Sequence, residues 1–180
     1  GLGKMSTPRV FRWPCEFMIW IIRGTPLLTQ ILFFYLALPA IAPSLQLSEF
    51  WTAVIALSLN VGAYNAEVIR GGLNAIPRGQ AEAASALGLS YWKTTGLIVL
   101  PQALRHVIPG LVNSFIALFK DTTLVLIVAI FDLLGQLRSA FADPNWATPV
   151  TLFTGFAFGG IIYFAISFAM SRYALYTERR

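Results

Sequence analysis

Four long hydrophobic segments constrain this chain more than any other feature of its sequence. They cover Thr25 to Ile41, Phe50 to about Ala66, Val107 to about Leu134, and Pro149 to Met170. A helix needs about 20 apolar residues to cross the hydrocarbon core of a bilayer, and each segment is near or above that length. Charged residues make up 12% of the chain, about half the usual share of a soluble domain. The sequence therefore predicts an all-α, multi-pass membrane protein with about four spans in one bundle.

The distribution of Lys and Arg predicts which loops are cytoplasmic, because positively charged loops stay on that side of a membrane. The loops Ala42 to Glu49 and Gly135 to Thr148 contain only one basic residue, Arg138. The basic residues of the alternate loops are Lys4, Arg9, Arg12, Arg23, Arg70, Arg78, Lys93, Arg105, Arg172, Arg179 and Arg180. The connection Glu67 to Arg105 is therefore predicted to be cytoplasmic. The net charge of +5 follows from this topology and does not indicate nucleic-acid binding.

Residues for catalysis or metal binding are scarce. One cysteine, Cys15, cannot form an internal disulfide, and one histidine, His106, leaves no metal cluster. The motifs G-x-S-x-G and H-E-x-x-H are absent from the sequence, as is the nucleotide-binding motif G-x-x-x-x-G-K-[ST]. An intramembrane enzyme is thus a weak alternative, and we expect no catalytic residue, metal or bound cofactor in this chain.

The cytoplasmic connection 67–105 has its own pattern of short helices. Pro77 suits the first position of a helix, and residues 80–87 are mostly strong helix formers. Gly88 suits a left-handed stop. A second short helix is predicted from Tyr91 to Val99, interrupted by Pro101. By itself, this pattern is also typical of a surface helix without a partner.

The spacing of residues within this connection resembles the full EAA motif of ABC importer permeases. The matching residues are Glu82, Ala83, Ala84, Gly88, Ile98, Leu100 and Pro101. Further stretches resemble the polar amino acid branch of that family: "RGTPLL" from Arg23, "LSLNVGAYNAEVIRGGL" from Leu57, "IPRGQ" from Ile76 and "KDTTL" from Lys120. The resemblance covers roughly Ile19 to Arg172.

The resemblance implies a type I ABC importer permease with a helical core of five spans, residues 1–180 forming one permease domain of the bacterial inner membrane. It implies that the connection 67–105 fits a cleft on a cytoplasmic ABC ATPase dimer, which binds the ATP. It further implies a second permease subunit, identical or different, and a periplasmic amino-acid-binding protein. The transported substrate is expected to be a polar L-amino acid.

The first core helix of that family should precede Arg23, but residues 1–20 are too short and too charged to supply it. We therefore expect this chain to be the C-terminal portion of a longer permease.

Polar residues within the hydrophobic segments are the candidates for a substrate path, because they are costly in hydrocarbon and should face protein or water. They are Asn60, Asn65, Asn113, Ser114, Lys120, Asp121, Thr122 and Thr123. Each Asn or Ser can instead hydrogen-bond between packed helices.

The neighbouring charges Lys120 and Asp121 allow two interpretations. They either break the third segment at a cavity or form a structural ion pair. A straight helix over 107–134 would be about 42 Å long, against a hydrocarbon core of about 30 Å, which favours a break. Embedded charges would also suit an ion-coupled secondary transporter, but that alternative leaves the EAA-like connection unexplained.

Overall fold

The computed structural model describes residues 9–145 and 147–178, which are helical apart from short connections. Lys4, Arg179 and Arg180, used above to assign the cytoplasmic side, lie outside the described residues. The α-helices are α1 Arg9–Gly24, α2 Leu27–Leu32, α3 Leu38–Ile41, α4 Glu49–Asn74, α5 Arg78–Ala86, α6 Tyr91–Thr94, α7 Leu100–Asp121, α8 Leu133–Ala142 and α9 Thr151–Glu178. Wider π turns, Phe33–Ala37 and Thr95–Val99, join α2 to α3 and α6 to α7, and tighter 3₁₀ turns cover Pro43–Leu45 and Thr122–Val128.

Three helical stretches are long and apolar enough to cross a membrane. They are Glu49–Asn74, Tyr91–Val128 and Thr151–Thr177. A fourth span is possible if Arg12–Gly24 and Leu27–Ile41, which meet at a bend of 107°, are counted together. The prediction of an all-α membrane chain is thus confirmed, and the four predicted segments correspond to these helices.

The first predicted segment, Thr25 to Ile41, begins close to the expected position, at a bend. Helix α1 precedes it from Arg9 to Gly24 and is not by itself among the helices long and apolar enough to cross a membrane. Pro26 then starts α2 in an extended conformation (φ −63°, ψ 141°). Gln30 Nε2 donates to the carbonyls of Ile22 (2.6 Å) and Thr25 (3.1 Å). These bonds satisfy carbonyls at the end of α1 and fix the bend between the two helices.

The helices extend into the connection predicted to run from 67 to 105. Helix α4 continues past Ala66 to Asn74, and the next helical stretch begins at Tyr91. The part of the connection between these two long helical stretches is therefore only residues 75–90, which include the short helix α5. The continuation of α4 is stabilised at Glu67, whose carboxylate accepts from Arg70 Nε at 3.0 Å. Polar residues with good local partners therefore lengthen the helix beyond its apolar part.

Pro101 does not interrupt the second half of the connection, contrary to the prediction. Residues 91–128 form one stretch of 38 residues, in which the π turn Thr95–Val99 precedes the proline. The wider turn lets Leu100 N–H bond the Thr95 carbonyl, and Gln102 Nε2 donates to the Ile98 carbonyl at 2.9 Å. Because these bonds satisfy carbonyls near the missing amide of Pro101, the helix continues.

The third predicted segment, 107–134, is not one straight helix. Its α-helical part ends at Asp121, and a 3₁₀ turn continues to Val128. Ala129 then adopts a left-handed conformation with φ of 59°. The predicted break at Lys120 and Asp121 therefore coincides with a change of helix type, and the left-handed alanine ends the helical stretch.

The loop predicted from Gly135 to Thr148 is largely helical at its start. Asp132 caps α8 by accepting from Gly135 N–H at 2.9 Å. Its other carboxylate oxygen accepts from Tyr163 Oη on α9, also at 2.9 Å. This side chain thereby links the beginning of α8 to the middle of α9, although nothing in the hydrophobic pattern indicates a helix here.

The centre of the bundle is formed by α4, α7 and α9, with α7 packed between the other two. A buried cluster of Ile31, Ala53, Ala56, Val125 and Val128 joins the first span to α4 and the 3₁₀ turn. Small side chains at this cluster let the helices approach closely. Most of the large apolar residues of α9 face outward, as expected for a helix in contact with lipid or another subunit.

Two glycines of α9, Gly155 and Gly159, mark close contacts with α8. A Cβ at Gly155 would overlap the ring of Phe141, and one at Gly159 would lie 2.7 Å from Leu137 Cδ1. At Gly160, the adjacent residue, a Cβ would meet nothing within 4 Å. A side chain added at Gly159 would therefore clash with α8, whereas one added at the adjacent Gly160 would not.

Gly159→Val is expected to lower the free energy of unfolding by about 1–3 kcal/mol, because the branched side chain forces α8 away from α9. Gly160→Val is the matched control, with the same change one residue along and open space beside it. Thermal melting in detergent compares the two variants. Equal melting temperatures would show that α8 does not pack on α9 as described.

Candidate functional site

The EAA-like residues form a short helix with a sharp end. Helix α5 begins after Pro77 and ends at Ala86. Gly88 is left-handed (φ +77°), and its N–H bonds the Ser85 carbonyl at 2.9 Å. Leu89 N–H bonds the Ala84 carbonyl at 3.1 Å. This pair of bonds is the Schellman ending of a helix, which requires the left-handed glycine predicted at this position.

The alanines of the motif have different positions on α5. Ala84 is buried, while Glu82 and Ala83 are exposed. Helix α5 packs against the π turn Thr95–Val99, in which Ile98 is half-buried. Leu100 and Pro101, the last residues of the motif, are exposed. One side of the short helix therefore rests on the long helical stretch, and the other side is free for a partner.

Large exposed apolar side chains follow the end of α5 in the chain, and none of them is among the predicted coupling residues. Leu87 is 82% exposed, Tyr91 73% and Trp92 80%. Apolar residues this exposed next to a helix end are typical of an interaction surface. Their position on either side of Gly88 was the signal that would have identified them.

A cavity of about 560 Å³ lies between α4, α7 and the bend after α1. Four of the predicted path residues line it, namely Asn60, Asn113, Ser114 and Asp121. The other four, Asn65, Lys120, Thr122 and Thr123, do not appear in its lining. The structure thus gathers half of the predicted polar residues at one cavity and places the other half elsewhere.

The polar residues away from the cavity have local roles. Thr122 Oγ1 donates to the Phe119 carbonyl at 2.7 Å, and Thr123 Oγ1 donates to the Lys120 carbonyl at 2.8 Å. They satisfy carbonyls at the end of α7, where the helix changes type. Asn65 is half-buried, and its Oδ1 accepts no hydrogen bond from the described residues. Lys120 is exposed.

Lys120 and Asp121 are not an ion pair in this structure. Within the described residues, the ion pairs involve Arg12, Arg23 and Arg70 with Glu16 or Glu67. Neighbouring residues of a helix point about 100° apart, which explains why Asp121 reaches the cavity while Lys120 faces outward. The geometry therefore favours the cavity interpretation for Asp121 and separates Lys120 from it.

The polar floor of the cavity is held by hydrogen bonds across the bend. Asn60 Nδ2 donates to Gln30 Oε1 at 3.1 Å, and Gln30 Nε2 donates to Thr25 Oγ1 at 2.9 Å. The orientation of Asn60 is thus set by a residue thirty positions earlier in the chain. Gln30 was absent from the predicted site, because a single glutamine near a span end gives no periodic signal.

A second group missed by sequence reasoning lies beside the cavity. The Arg23 guanidinium lies 5.2 Å from the centre of the Tyr64 ring, and its Nη1 is 3.7 Å from Glu67 Oε2. Tyr64 itself lines the cavity. These contacts hold the end of α1 against α4. For metal binding, no group of three His, Cys, Asp or Glu side chains comes together within the described ranges.

Comparison with known proteins gives a consistent set of similarities. The family described as "Binding-protein-dependent transport system inner membrane component" matches residues 1–180. The inner membrane amino-acid ABC transporter permease protein YhdY of Escherichia coli K12 is 45% identical over 181 residues, which are 100% of this chain and 49% of that protein. The glutamate/glutamine/aspartate/asparagine transport system permease protein BztC of Rhodobacter capsulatus is 43% identical over 182 residues, 100% of this chain and 42% of that protein. This chain thus spans about half the length of these two relatives.

A shorter relative and two solved structures are also similar to this chain. The arginine transport system permease protein ArtQ of Bacillus subtilis is 37% identical over 181 residues, 100% of this chain and 80% of that protein. A crystal structure of an amino acid ABC transporter with histidines matches with a TM-score of 0.85 and 32% identity, covering 99% of this chain and 80% of that one. The inward-facing MetNI methionine ABC transporter matches with a TM-score of 0.69 and 18% identity, over 94% of this chain and 77% of that one. The last similarity supports the fold alone.

Proposed function

Since this chain belongs to the family of binding-protein-dependent transport system inner membrane components, we propose that it is a permease subunit of an ATP-driven importer of polar amino acids. Two of its relatives, BztC and ArtQ, are permease proteins of transport systems for glutamate, glutamine, aspartate and asparagine and for arginine. The subunit itself performs no hydrolysis in this proposal. ATP is bound and hydrolysed by a cytoplasmic ABC ATPase dimer, and this chain carries no cofactor of its own.

The observation that carries the proposal is the arrangement of α5 on the long helical stretch 91–128. The exposed side of α5, with Glu82 and Ala83, is available to the ATPase, and a carboxylate can pair with a basic residue of that partner. The buried side, with Ala84, rests on the π turn Thr95–Val99. A push on α5 is thereby passed to a helix whose far half lines the cavity through Asn113 and Asp121.

The cavity is the proposed substrate path of this subunit. Asn60, Asn113 and Ser114 offer neutral hydrogen-bonding groups, and Asp121 offers one carboxylate to an ammonium group of the substrate. In this proposal Thr122 and Thr123 stabilise the helix break, and Lys120 and Asn65 lie outside the path. Rigid-body movement of α7 against α4 would alternate access to the cavity from the two sides of the membrane.

The remaining partners follow from the same proposal. A second permease subunit, identical or different, completes the path across the bacterial inner membrane. A periplasmic amino-acid-binding protein delivers the substrate on the opposite side from α5.

Cross-linking tests the proposed contact with the ATPase. In a background without other reactive cysteines, Glu82→Cys is expected to be cross-linked to a lysine of the co-expressed ATPase by a reagent with one maleimide and one succinimidyl ester, because residue 82 is exposed on α5. Asp143→Cys is the matched control, an exposed acid at the end of α8. An ATPase that cross-links to position 143 and not to 82, or that fails to co-purify at all, would contradict the proposal.

A further inference from the structure

Helix α1 has an exposed apolar face with no partner in the described structure. Val10, Trp13, Phe17 and Trp20 follow one another at spacings of three or four residues, so they share one side of the helix. Each of the four is between 60% and 77% exposed. Four large apolar side chains in water would be costly, and their alignment indicates a surface that is covered in the native environment.

The opposite side of α1 is fixed to the bundle. Ile19 is buried, and Arg23 contacts both Glu67 and Tyr64 of α4. Arg12 pairs with Glu16 at 2.9 Å on the flank between the two sides. The helix cannot rotate to hide its apolar face without breaking these contacts, so its orientation relative to α4 is set.

The bend after α1 determines how that face lies relative to a membrane. The direction of the chain changes by 107° between Arg12–Gly24 and Leu27–Ile41. If Leu27–Ile41 crosses the bilayer with a common tilt of about 20° or less, α1 lies within about 40° of the membrane plane. In that geometry the helix runs along the membrane surface at the end of the span.

An apolar groove connects this face with the membrane-crossing helices. The groove has a volume of about 390 Å³ and lies at the bend. Met18 and Ile21 of α1, Phe33 and Phe34 of the first span, and Leu59 of α4 form its walls. Thr25, Thr29 and Gln30 also line the groove, but most of its lining residues are apolar. The apolar surface of α1 thus continues along these residues into side chains that belong at membrane depth. A soluble partner would have to cover both regions, whereas lipid tails reach both at once.

We propose that α1 is an interfacial helix that lies in the cytoplasmic leaflet of the bilayer, with Val10, Trp13, Phe17 and Trp20 inserted at the boundary between headgroups and acyl chains. Trp side chains favour this boundary because an apolar ring and a polar N–H are both accommodated there. Arg12 and Arg23 are exposed and lie away from this apolar face, so in this placement their guanidinium groups reach toward the headgroups. The binding is mainly apolar, because both arginines already have carboxylate partners.

Spin labelling of the assembled, full-length transporter in nanodiscs of zwitterionic and anionic phospholipids tests this placement. Nitroxides at Phe17→Cys and Trp20→Cys are expected to collide more with oxygen than with a water-soluble nickel chelate. Their depth should be about 5–10 Å below the lipid phosphates, the usual depth of an interfacial helix. A label at Arg12→Cys on the same helix is the matched control and should lie at or above the phosphates.

The alternatives give different patterns. Labels at 17 and 20 that are as accessible to the nickel chelate as one at Glu82→Cys would show that α1 faces water. Labels at 17 and 20 that are shielded from both reagents would show that protein covers this face. Either result would overturn the proposal. The measurement does not depend on transport, so it stays informative even if the proposed substrate is wrong.

Discussion

Replacing Gly88 with valine is expected to abolish ATP-driven uptake while leaving the permease subunit inserted in the membrane. Gly88 has a φ of +77°, a conformation that costs an ordinary L-residue roughly 1–2 kcal/mol and a β-branched residue more. No atom lies within 4 Å of the position a Cβ would take, so the expected defect comes from the backbone and not from a clash. The Schellman ending of α5 would be lost and its exposed side would point elsewhere.

A short series of variants isolates this effect. Gly88→Asn should retain much of the uptake, because asparagine tolerates the left-handed conformation. Gly79→Ala is the control within α5, where the glycine is helical and has open space beside it. Glu82→Lys should reduce ATPase binding without disturbing the turn, because charge reversal repels a basic partner. Normal uptake and ATPase binding in both Gly88→Val and Glu82→Lys would remove α5 from the coupling role.

Neutralising Asp121 is expected to reduce uptake by an order of magnitude or more, while neutralising Lys120 should have a much smaller effect. Asp121 lines the cavity, and Lys120 is exposed and does not. A charge-assisted contact to a buried ligand contributes roughly 1.5–3 kcal/mol, which corresponds to about a tenfold to hundredfold loss. The variants are Asp121→Asn and Lys120→Met, measured singly and together for uptake and for assembly with the ATPase.

The double variant separates the two interpretations of this charged pair. If Asp121 acts at the cavity alone, the double variant should behave like Asp121→Asn. If the two residues form a structural pair in the membrane, the double variant should be milder than either single one, because each single change leaves a charge unpaired. Wild-type uptake and amino acid preference in the double variant would exclude both residues from the path.

The positions of the membrane helices were predictable because apolar stretches near 20 residues have few alternatives in a bilayer. The ends of these helices were not predictable, because polar residues continue a helix where neighbouring side chains form hydrogen bonds or ion pairs with them. Glu67 illustrates this: it looked like the start of a loop, but its contacts with Arg70 and Arg23 keep α4 helical to Asn74. Pro101 illustrates the same error with a different cause, because the π turn Thr95–Val99 lets the helix continue past a residue that ordinarily ends one.

The candidate site has two parts, the turn at the end of α5 and the cavity, and the sequence predicted the first better than the second. The α5 turn depends on neighbours in the chain, so Gly88 was identified from local pattern alone and adopts the expected conformation. The cavity depends on contacts between distant segments, such as Asn60 with Gln30. Helical spacing could not decide which of the predicted polar residues face it. Ala129 was equally unpredictable, because its left-handed conformation is rare for alanine.

The most direct test of the central claim is the energy source for uptake. Proteoliposomes would contain the permease subunits and the ATPase, with the binding protein and a labelled polar amino acid on the periplasmic side. The account predicts uptake that requires ATP and continues when ionophores have collapsed all ion gradients. Uptake that proceeds without ATP and stops when a gradient is collapsed would contradict it and would identify an ion-coupled transporter.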